Sequence, residues 1–117
     1  MHFKVKLLIL DEPLTALSAR EKKRNTLVGR ILYDIYHMQI MDGNITETLK
    51  KYHEYFRYVH VANLPYRSEP WIGELDYKFI LKELSKIYSG VAGFEFFVKE
   101  KSFTYEELHR WIQSINF

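Results

Sequence analysis

Four short apolar segments, each followed by a segment of helical character, most limit what this chain can fold into. The apolar segments are residues 5–10, 31–35, 58–62 and 91–98. Three of them are rich in β-branched or aromatic residues and almost continuously apolar, which is typical of strands covered on both faces. The order β-α-β-α-β-α-β-α predicts parallel strands joined by right-handed crossovers.

The helical segments carry start signals of different strength. Three of them begin at a residue that can cap a helix, and these residues are Asn44, Asp76 and Thr104. Asn44 and Thr104 are each followed three residues later by a glutamate, as in a capping box. The first helix, near Ser18, has a thin apolar stripe and is the weakest prediction of the four.

The number of units leaves two architectures open. Four βα units are half of an eight-unit barrel, which needs about 250 residues, and this chain has 117. An open four-stranded α/β layer is the alternative. In either fold, ligands bind beyond the carboxyl ends of the strands. We expect one domain over 1–117, with residues 1–30 of uncertain origin.

Composition excludes several classes of protein. The chain has no cysteine, which excludes a disulfide scaffold, a cysteine zinc site and a thiol nucleophile. Its net charge of +2 is too small to indicate nucleic acid as the main partner. No apolar run near the start is long enough for a secretory core or a membrane span, so we expect a cytoplasmic protein with no membrane partner.

An acid or an imidazole stands at or near the end of each predicted strand. These residues are Glu12, Asp34, His60 and Glu95. At the mouth of a barrel their side chains would converge. Such a mixed oxygen and nitrogen set suits a divalent metal ion, and clustered carboxylates without a cation would repel one another. Taken singly, a strand histidine or a strand-end glutamate is more simply a structural residue, but four consecutive strand ends favour a site.

Three stretches of the chain carry a resemblance to a known family. They are residues 33–44, 60–70 running into 73–77, and 90–96, which read YDIYHMQIMDGN, HVANLPYRSEP with GELDY, and GVAGFEF. From about residue 32 to 116 the chain resembles the C-terminal part of the hydroxypyruvate isomerases, which are xylose isomerase-like TIM barrels. The resemblance implies an α/β fold, the (βα)₄ half of such a barrel, with parallel strands alternating with helices.

The resemblance also implies roles for single residues. Asp34 and Glu95 match metal ligands, and His60 stands at a ligand position where hydroxypyruvate isomerases often have glutamine. His37 matches a substrate-contacting position, and Arg67 matches an arginine that holds the substrate's carboxylate. Two positions depart from the family, because many relatives have aspartate at residue 63 and glycine at residue 66, where this chain has asparagine and tyrosine.

The implied activity is an aldose–ketose isomerisation. It would interconvert hydroxypyruvate and 2-hydroxy-3-oxopropanoate through an enediolate stabilised by a divalent metal, Mg²⁺ or Mn²⁺. Glu12 and Glu95 would be the proton-transferring pair and, with Asp34 and His60, the metal ligands. A sugar isomerase or epimerase of the same superfamily is an alternative, which Arg67 disfavours because it implies an acidic substrate.

Residues 1–30 resemble two different families. Leu8-Ile9 and the stretch 12–15 are similar to the fifth strand of the isomerases, whereas 7–13 also resembles the Walker B region of ABC ATPases. No Gly-Lys-Ser/Thr phosphate loop accompanies it, so an ATPase function is excluded. Because the resemblance covers half a barrel, we expect a homodimer or association with a separate first half-barrel. A truncated non-catalytic piece remains the alternative.

Overall fold

The computed structural model describes residues 4–10 and 31–117. Its elements in chain order are β1 (Lys4–Leu10), β2 (Ile31–Asp34), α1 (Ile35–Met41), α2 (Ile45–Tyr52), β3 (Phe56–Val61), α3 (Tyr77–Ser85), β4 (Val91–Phe97) and α4 (Tyr105–Gln113). All four predicted strands are present within two residues of their expected bounds. The helix predicted near Ser18 lies outside the described residues, as does Glu12.

Three strands form the parallel sheet that the alternating pattern predicts. The sheet order is β1-β4-β3-β2, with β2 parallel to β3 and β3 parallel to β4. The register places Asp34 beside His60 and His60 beside Gly93. Parallel strands alternating with helices confirm the α/β class, and the carboxyl ends of β2, β3 and β4 meet at one edge of the sheet.

The first strand contradicts the prediction of four parallel strands. β1 runs antiparallel to β4, with Lys4 opposite Phe97 and Leu10 opposite Val91. An antiparallel strand can satisfy every backbone group along the second edge of β4 without a crossover helix. The carboxyl end of β1 therefore lies beside the amino end of β4, away from Asp34. Glu12 was expected beside the other site residues because all four strands were predicted to be parallel, and that reason no longer holds.

The core lies between one face of the sheet and the helices. Apolar residues at alternate strand positions meet apolar residues that recur every three or four positions along the helices. The fully or almost fully buried members include Tyr33, Ile35, Leu49, Val59, Ile80, Leu84, Phe94 and Leu108. Trp111 on α4 is partly buried and packs against this cluster.

The helix starts follow the predicted caps with one difference. Asp76 Oδ1 accepts from Phe79 N at 3.2 Å, and Thr104 Oγ1 accepts from Glu107 N at 3.1 Å. Asn44 stands at the start of α2 in a left-handed conformation, and no capping hydrogen bond from its side chain is found among the described residues. Within the same residues, no helix is long and apolar enough to cross a membrane.

Candidate functional site

Three of the predicted site residues lie at the common carboxyl edge of the parallel strands. Asp34 and His60 are register partners on β2 and β3. Glu95 follows Gly93, the partner of His60, by two residues, so it points to the same face of the sheet. His60 Nδ1 lies 2.5 Å from Glu95 Oε2, and both side chains are largely buried. The structure thus brings His60 and Glu95 into direct contact.

Asp34 is tied to the start of α1. Its Oδ1 accepts a hydrogen bond from His37 N at 3.1 Å, and its Oδ2 lies 3.9 Å from His37 Nε2. The imidazole of His37 is about half exposed, whereas the carboxylate of Asp34 is mostly covered. His37, predicted to contact substrate, therefore stands next to a predicted metal ligand. The capping role of Asp34 was not predicted, because α1 has no separate start signal.

Arg67 reaches across the same edge from the loop after β3. Its guanidinium carbon lies 5.4 Å from the ring centroid of Tyr36 and 5.8 Å from that of Phe97. These rings follow Asp34 and Glu95 by two residues each, so the guanidinium lies between the ends of β2 and β4. Its Nε is buried and has no hydrogen-bond partner among the described residues.

The donor set has the chemistry of a divalent metal site but is not gathered into one. Carboxylate oxygens and an imidazole nitrogen suit Mg²⁺, Mn²⁺ or Zn²⁺. Within the described part of the chain, no group of three or more His, Asp or Glu side chains is close enough to hold a metal ion. Glu95 faces His60, and Asp34 faces the start of α1. Glu12, the predicted fourth ligand, lies outside the described residues.

The loop that carries Arg67 is held by Asn63, one of the two positions where the sequence departs from the resemblance described above. Asn63 Nδ2 donates to Pro70 O at 2.8 Å and to Leu75 O at 3.0 Å. Its Oδ1 accepts from Leu64 N at 2.8 Å and Leu75 N at 2.9 Å. An aspartate there would lack the two N–H donors. Asn63 therefore closes the loop on itself through four hydrogen bonds.

Gly73 is required where this loop folds back. Its φ is +148°, and a Cβ at this position would lie 2.2 Å from the main-chain oxygen of Leu64. No side chain fits such a close approach of two backbone segments. A glycine at this position therefore allows residue 73 to pack directly against the backbone of Leu64.

Glu69, two residues after Arg67, has a structural role that the sequence did not predict. Its side chain is fully buried, and its two oxygens accept from Lys99 N at 2.7 Å and Glu100 N at 2.8 Å. The loop after β3 is thereby joined to the loop after β4. A glutamate before a proline in a polar stretch reads as an exposed loop residue, so no local signal indicates this burial.

Trp71 is a packing residue of the same loop. Its ring lies 6.3 Å from Phe103 and 5.9 Å from Trp111, measured between centroids. Its Nε1 donates to Glu100 Oε2 at 3.2 Å. Of the two roles open to a loop tryptophan, capping a pocket or packing, these contacts favour packing.

Tyr77 fastens the start of α3 to the end of β3. Its hydroxyl donates to Ala62 O at 2.7 Å and accepts from Ala62 N at 3.3 Å. Burial of the phenol raises the pKa of Tyr77 well above its ordinary value. The hydroxyl therefore stays protonated and holds the segment that leads into the Arg67 loop.

Comparison with known proteins supports the motifs. No protein-family model matches the chain. A hydroxypyruvate isomerase of Escherichia coli is 37% identical over 68 residues, which are 57% of this chain and 26% of that protein. A 2-oxo-tetronate isomerase of Pectobacterium atrosepticum is 39% identical over 67 residues, covering 56% and 26%. A relative in Drosophila melanogaster is 37% identical over 90 residues, covering 75% and 33%.

A solved structure agrees with the fold. The crystal structure of a family 2 AP endonuclease from Brucella melitensis superposes with a TM-score of 0.63 and 31% identity, covering 75% of this chain and 34% of that one. The chain spans about a third or less of the length of the proteins it matches. Its fold is part of a xylose isomerase-like barrel, and its sequence is similar to hydroxypyruvate isomerases over the matched residues.

Proposed function

We propose that this chain carries part of the active site of an isomerase that interconverts hydroxypyruvate and 2-hydroxy-3-oxopropanoate. The observation that carries the proposal is the carboxyl end of the parallel strands, where His60 contacts Glu95 and is the register partner of Asp34. The guanidinium of Arg67 packs against Tyr36 and Phe97, each two residues beyond one of these carboxylates. The similarity to hydroxypyruvate isomerases supports the choice of reaction.

Arg67 would bind the carboxylate of the substrate. A guanidinium pairs with a carboxylate through two parallel N–H···O bonds. The rings of Tyr36 and Phe97 hold the guanidinium and stabilise its positive charge. Its Nε is buried, so the substrate's carboxylate would pair with the two terminal nitrogens of the guanidinium.

Glu95 and Glu12 would move the proton between carbons. One carboxylate removes a proton from the hydroxymethyl carbon of hydroxypyruvate. The electron pair of that C–H bond forms a C=C bond to the neighbouring carbon, and the π electrons of the carbonyl move onto its oxygen. The C=C electron pair then takes a proton at the carbon that carried the carbonyl, while the hydroxyl on the other carbon gives its proton to the adjacent oxygen and becomes the new carbonyl. Glu95 would be one of the two proton-transferring carboxylates, and His60 contacts one of its oxygens. His37 would donate a hydrogen bond to a substrate oxygen.

A divalent metal ion, Mg²⁺ or Mn²⁺, would take Asp34, His60 and Glu95 as ligands, with Glu12 added on the resemblance alone. Binding it would require Asp34 to turn from the start of α1 toward the His60–Glu95 pair, because the described side chains are not gathered around one point. When bound, it would polarise the substrate carbonyl and stabilise the negative charge that develops on oxygen. The oxygen and nitrogen donors of these side chains support this assignment.

A four-carbon 2-oxo acid is the second candidate substrate. The 39% identity to a 2-oxo-tetronate isomerase favours it. Tyr66 precedes Arg67 in the chain and is exposed, so it would contact the additional carbon of such a substrate. Both candidates are small hydroxy-oxo acids, so both require the carboxylate contact of Arg67.

The test is an isomerase assay of the purified chain with hydroxypyruvate, in EDTA and after adding Mn²⁺ or Mg²⁺. We expect turnover that depends on the metal and falls at least a hundredfold in Glu95→Gln. Glu83→Gln is the matched control, because Glu83 pairs with Lys86 on the helical surface away from the site. Equal turnover of Glu95→Gln and the parent chain would refute the assignment, and a chain that is inactive with every metal would favour a non-catalytic half-barrel.

A further inference from the structure

The two loops above the proposed site are joined by a buried charge that the reaction does not use. Glu69 is fully buried, and its oxygens accept from the main-chain N–H groups of Lys99 and Glu100 at 2.7 and 2.8 Å. A carboxylate is removed from water at a high free-energy cost unless such donors replace the water. The position of the Glu69 carboxylate is therefore fixed by the N–H groups of the loop after β4.

The same two loops meet at further points around Glu69. Arg67 O accepts from Phe97 N at 2.8 Å, and Lys99 Nζ lies 3.7 Å from the ring centroid of Tyr66. The segment 66–69 therefore runs beside 97–100. Because β4 carries Glu95 two residues before Phe97, the contacts connect the proposed carboxylate-binding arginine to the strand of the proposed proton donor.

Arg67 needs an external restraint to keep its position. Its φ of +55° lies in the left-handed region, which non-glycine residues seldom occupy. Its own side chain makes ring contacts but leaves Nε without a hydrogen bond in the described structure. Glu69, two residues later, hydrogen-bonds through its side chain to two main-chain N–H groups of the loop after β4.

We propose that Glu69 is a positioning residue for the proposed reaction: it joins the Arg67 loop to the loop after β4 and so sets the guanidinium over the Glu95 edge. This inference rests on the proposed function. A displacement of about 1 Å in a substrate-binding group can cost about a hundredfold in rate. A residue that touches no substrate can therefore control how the carboxylate is bound.

The test uses Glu69→Gln in the full chain, with Glu69→Asp as a second variant and Glu100→Gln as the matched control. A glutamine can accept from one N–H but turns its own N–H₂ toward the other. An aspartate keeps the charge but is one methylene shorter. Glu100→Gln alters a carboxylate of the same loop, which contacts Trp71 rather than Arg67.

The first measurement follows the Arg67 Nε–H signal in ¹⁵N-labelled chain by NMR. In the parent chain we expect a ring-current shift from Tyr36 and Phe97. The shift should be lost in Glu69→Gln, be reduced in Glu69→Asp and persist in Glu100→Gln. Retention of the shift in a folded Glu69→Gln, or in Glu69→Asp if the first variant does not fold, would overturn the proposal.

The second measurement compares two ligands by NMR titration: hydroxypyruvate, which has a carboxylate, and dihydroxyacetone, which does not. We expect Kd for hydroxypyruvate to rise about tenfold in Glu69→Gln, with Kd for dihydroxyacetone unchanged. An equal effect on both ligands would mean general destabilisation and would contradict positioning. If the parent chain binds neither ligand, the proposed function fails, and the Arg67 signal still decides whether Glu69 positions the guanidinium.

Discussion

At Arg67 a positive charge contacts two aromatic rings, and its buried Nε has no hydrogen-bond partner among residues 4–10 and 31–117. The rings of Tyr36 and Phe97 come from different parts of the chain, so the guanidinium is held only when α1 and β4 are both folded. A lysine at this position would keep the charge but offer a single ammonium in place of the planar fork. The shape of the group, rather than its charge, is what the proposed carboxylate contact requires.

For Arg67→Lys we expect KM for hydroxypyruvate to rise between about tenfold and a hundredfold, because a charge-assisted hydrogen bond contributes about 1.5–3 kcal/mol. Steady-state kinetics of the active preparation measures the effect. Arg110→Lys, on the exposed side of α4, is the control and should leave KM unchanged. An unaltered KM in Arg67→Lys would show that another group binds the carboxylate.

Residues at strand ends could be predicted, whereas residues buried in loops could not. Asp34 is the last residue of β2, and His60 and Glu95 are polar residues within two positions of the ends of β3 and β4, so all three stand out from the apolar segments that predict the strands. Their common edge follows from parallel pairing. The burial of Glu69 depends on main-chain N–H groups thirty residues away, and no pattern within its own segment records them.

At the scale of elements, the end of β3 and the start of α3 are joined through Tyr77. Its hydroxyl makes both hydrogen bonds to the backbone of Ala62, which lies between His60 and the Arg67 loop. The phenol is almost fully buried. Its burial and hydrogen bonding should therefore contribute to the free energy of unfolding and link that free energy to pH.

For Tyr77→Phe we expect the free energy of unfolding at pH 8 to fall by about 1–2 kcal/mol, because two buried backbone groups lose their partner. Burial raises the pKa of Tyr77 in the folded chain. Its contribution is complete below the ordinary tyrosine pKa of about 10 and is lost as pH rises beyond it, because the unfolded chain ionises first. Urea unfolding at pH 8 and pH 11 measures both effects.

Tyr105→Phe is the matched control, because Tyr105 is more than half exposed at the start of α4. It should change neither the free energy of unfolding nor its dependence on pH. If Tyr77→Phe lost as much stability between pH 8 and pH 11 as the parent chain, the buried phenol would not be the source of the alkaline effect.

Local signals explain why the helices and strands were predicted and why the direction of β1 was not. Asp76 and Thr104 cap their helices within three residues of chain, and each strand coincides with one of the four predicted apolar segments. The pairing of β1 with β4 joins segments more than eighty residues apart, and an apolar run is compatible with either strand direction. The periodicity of apolar residues therefore predicts the strands but not the direction in which distant strands pair.

At the scale of the whole molecule, the two faces of the sheet differ in coverage. The helices cover one face, whereas the other carries Leu32 on β2, Tyr58 on β3 and Phe97 on β4, which are 45%, 39% and 38% exposed. In the described part of the chain, β2 is also an edge of the sheet with no strand on its outer side. Exposed apolar faces and open edges favour association.

We propose that two copies of this chain associate through the uncovered face of the sheet. Sedimentation velocity across a range of concentrations should show a monomer–dimer equilibrium, and Tyr58→Lys should shift it to monomer because the substitution places a charge in the apolar contact. Phe79→Lys makes the same kind of change at a residue that is 53% exposed on α3 and should leave the equilibrium as it is.

Because Tyr58 precedes His60 by two residues on the same strand face, a dimer through this face would also lower solvent access to His60 and Glu95. A parent chain that sediments as a monomer at every concentration would contradict association through this face.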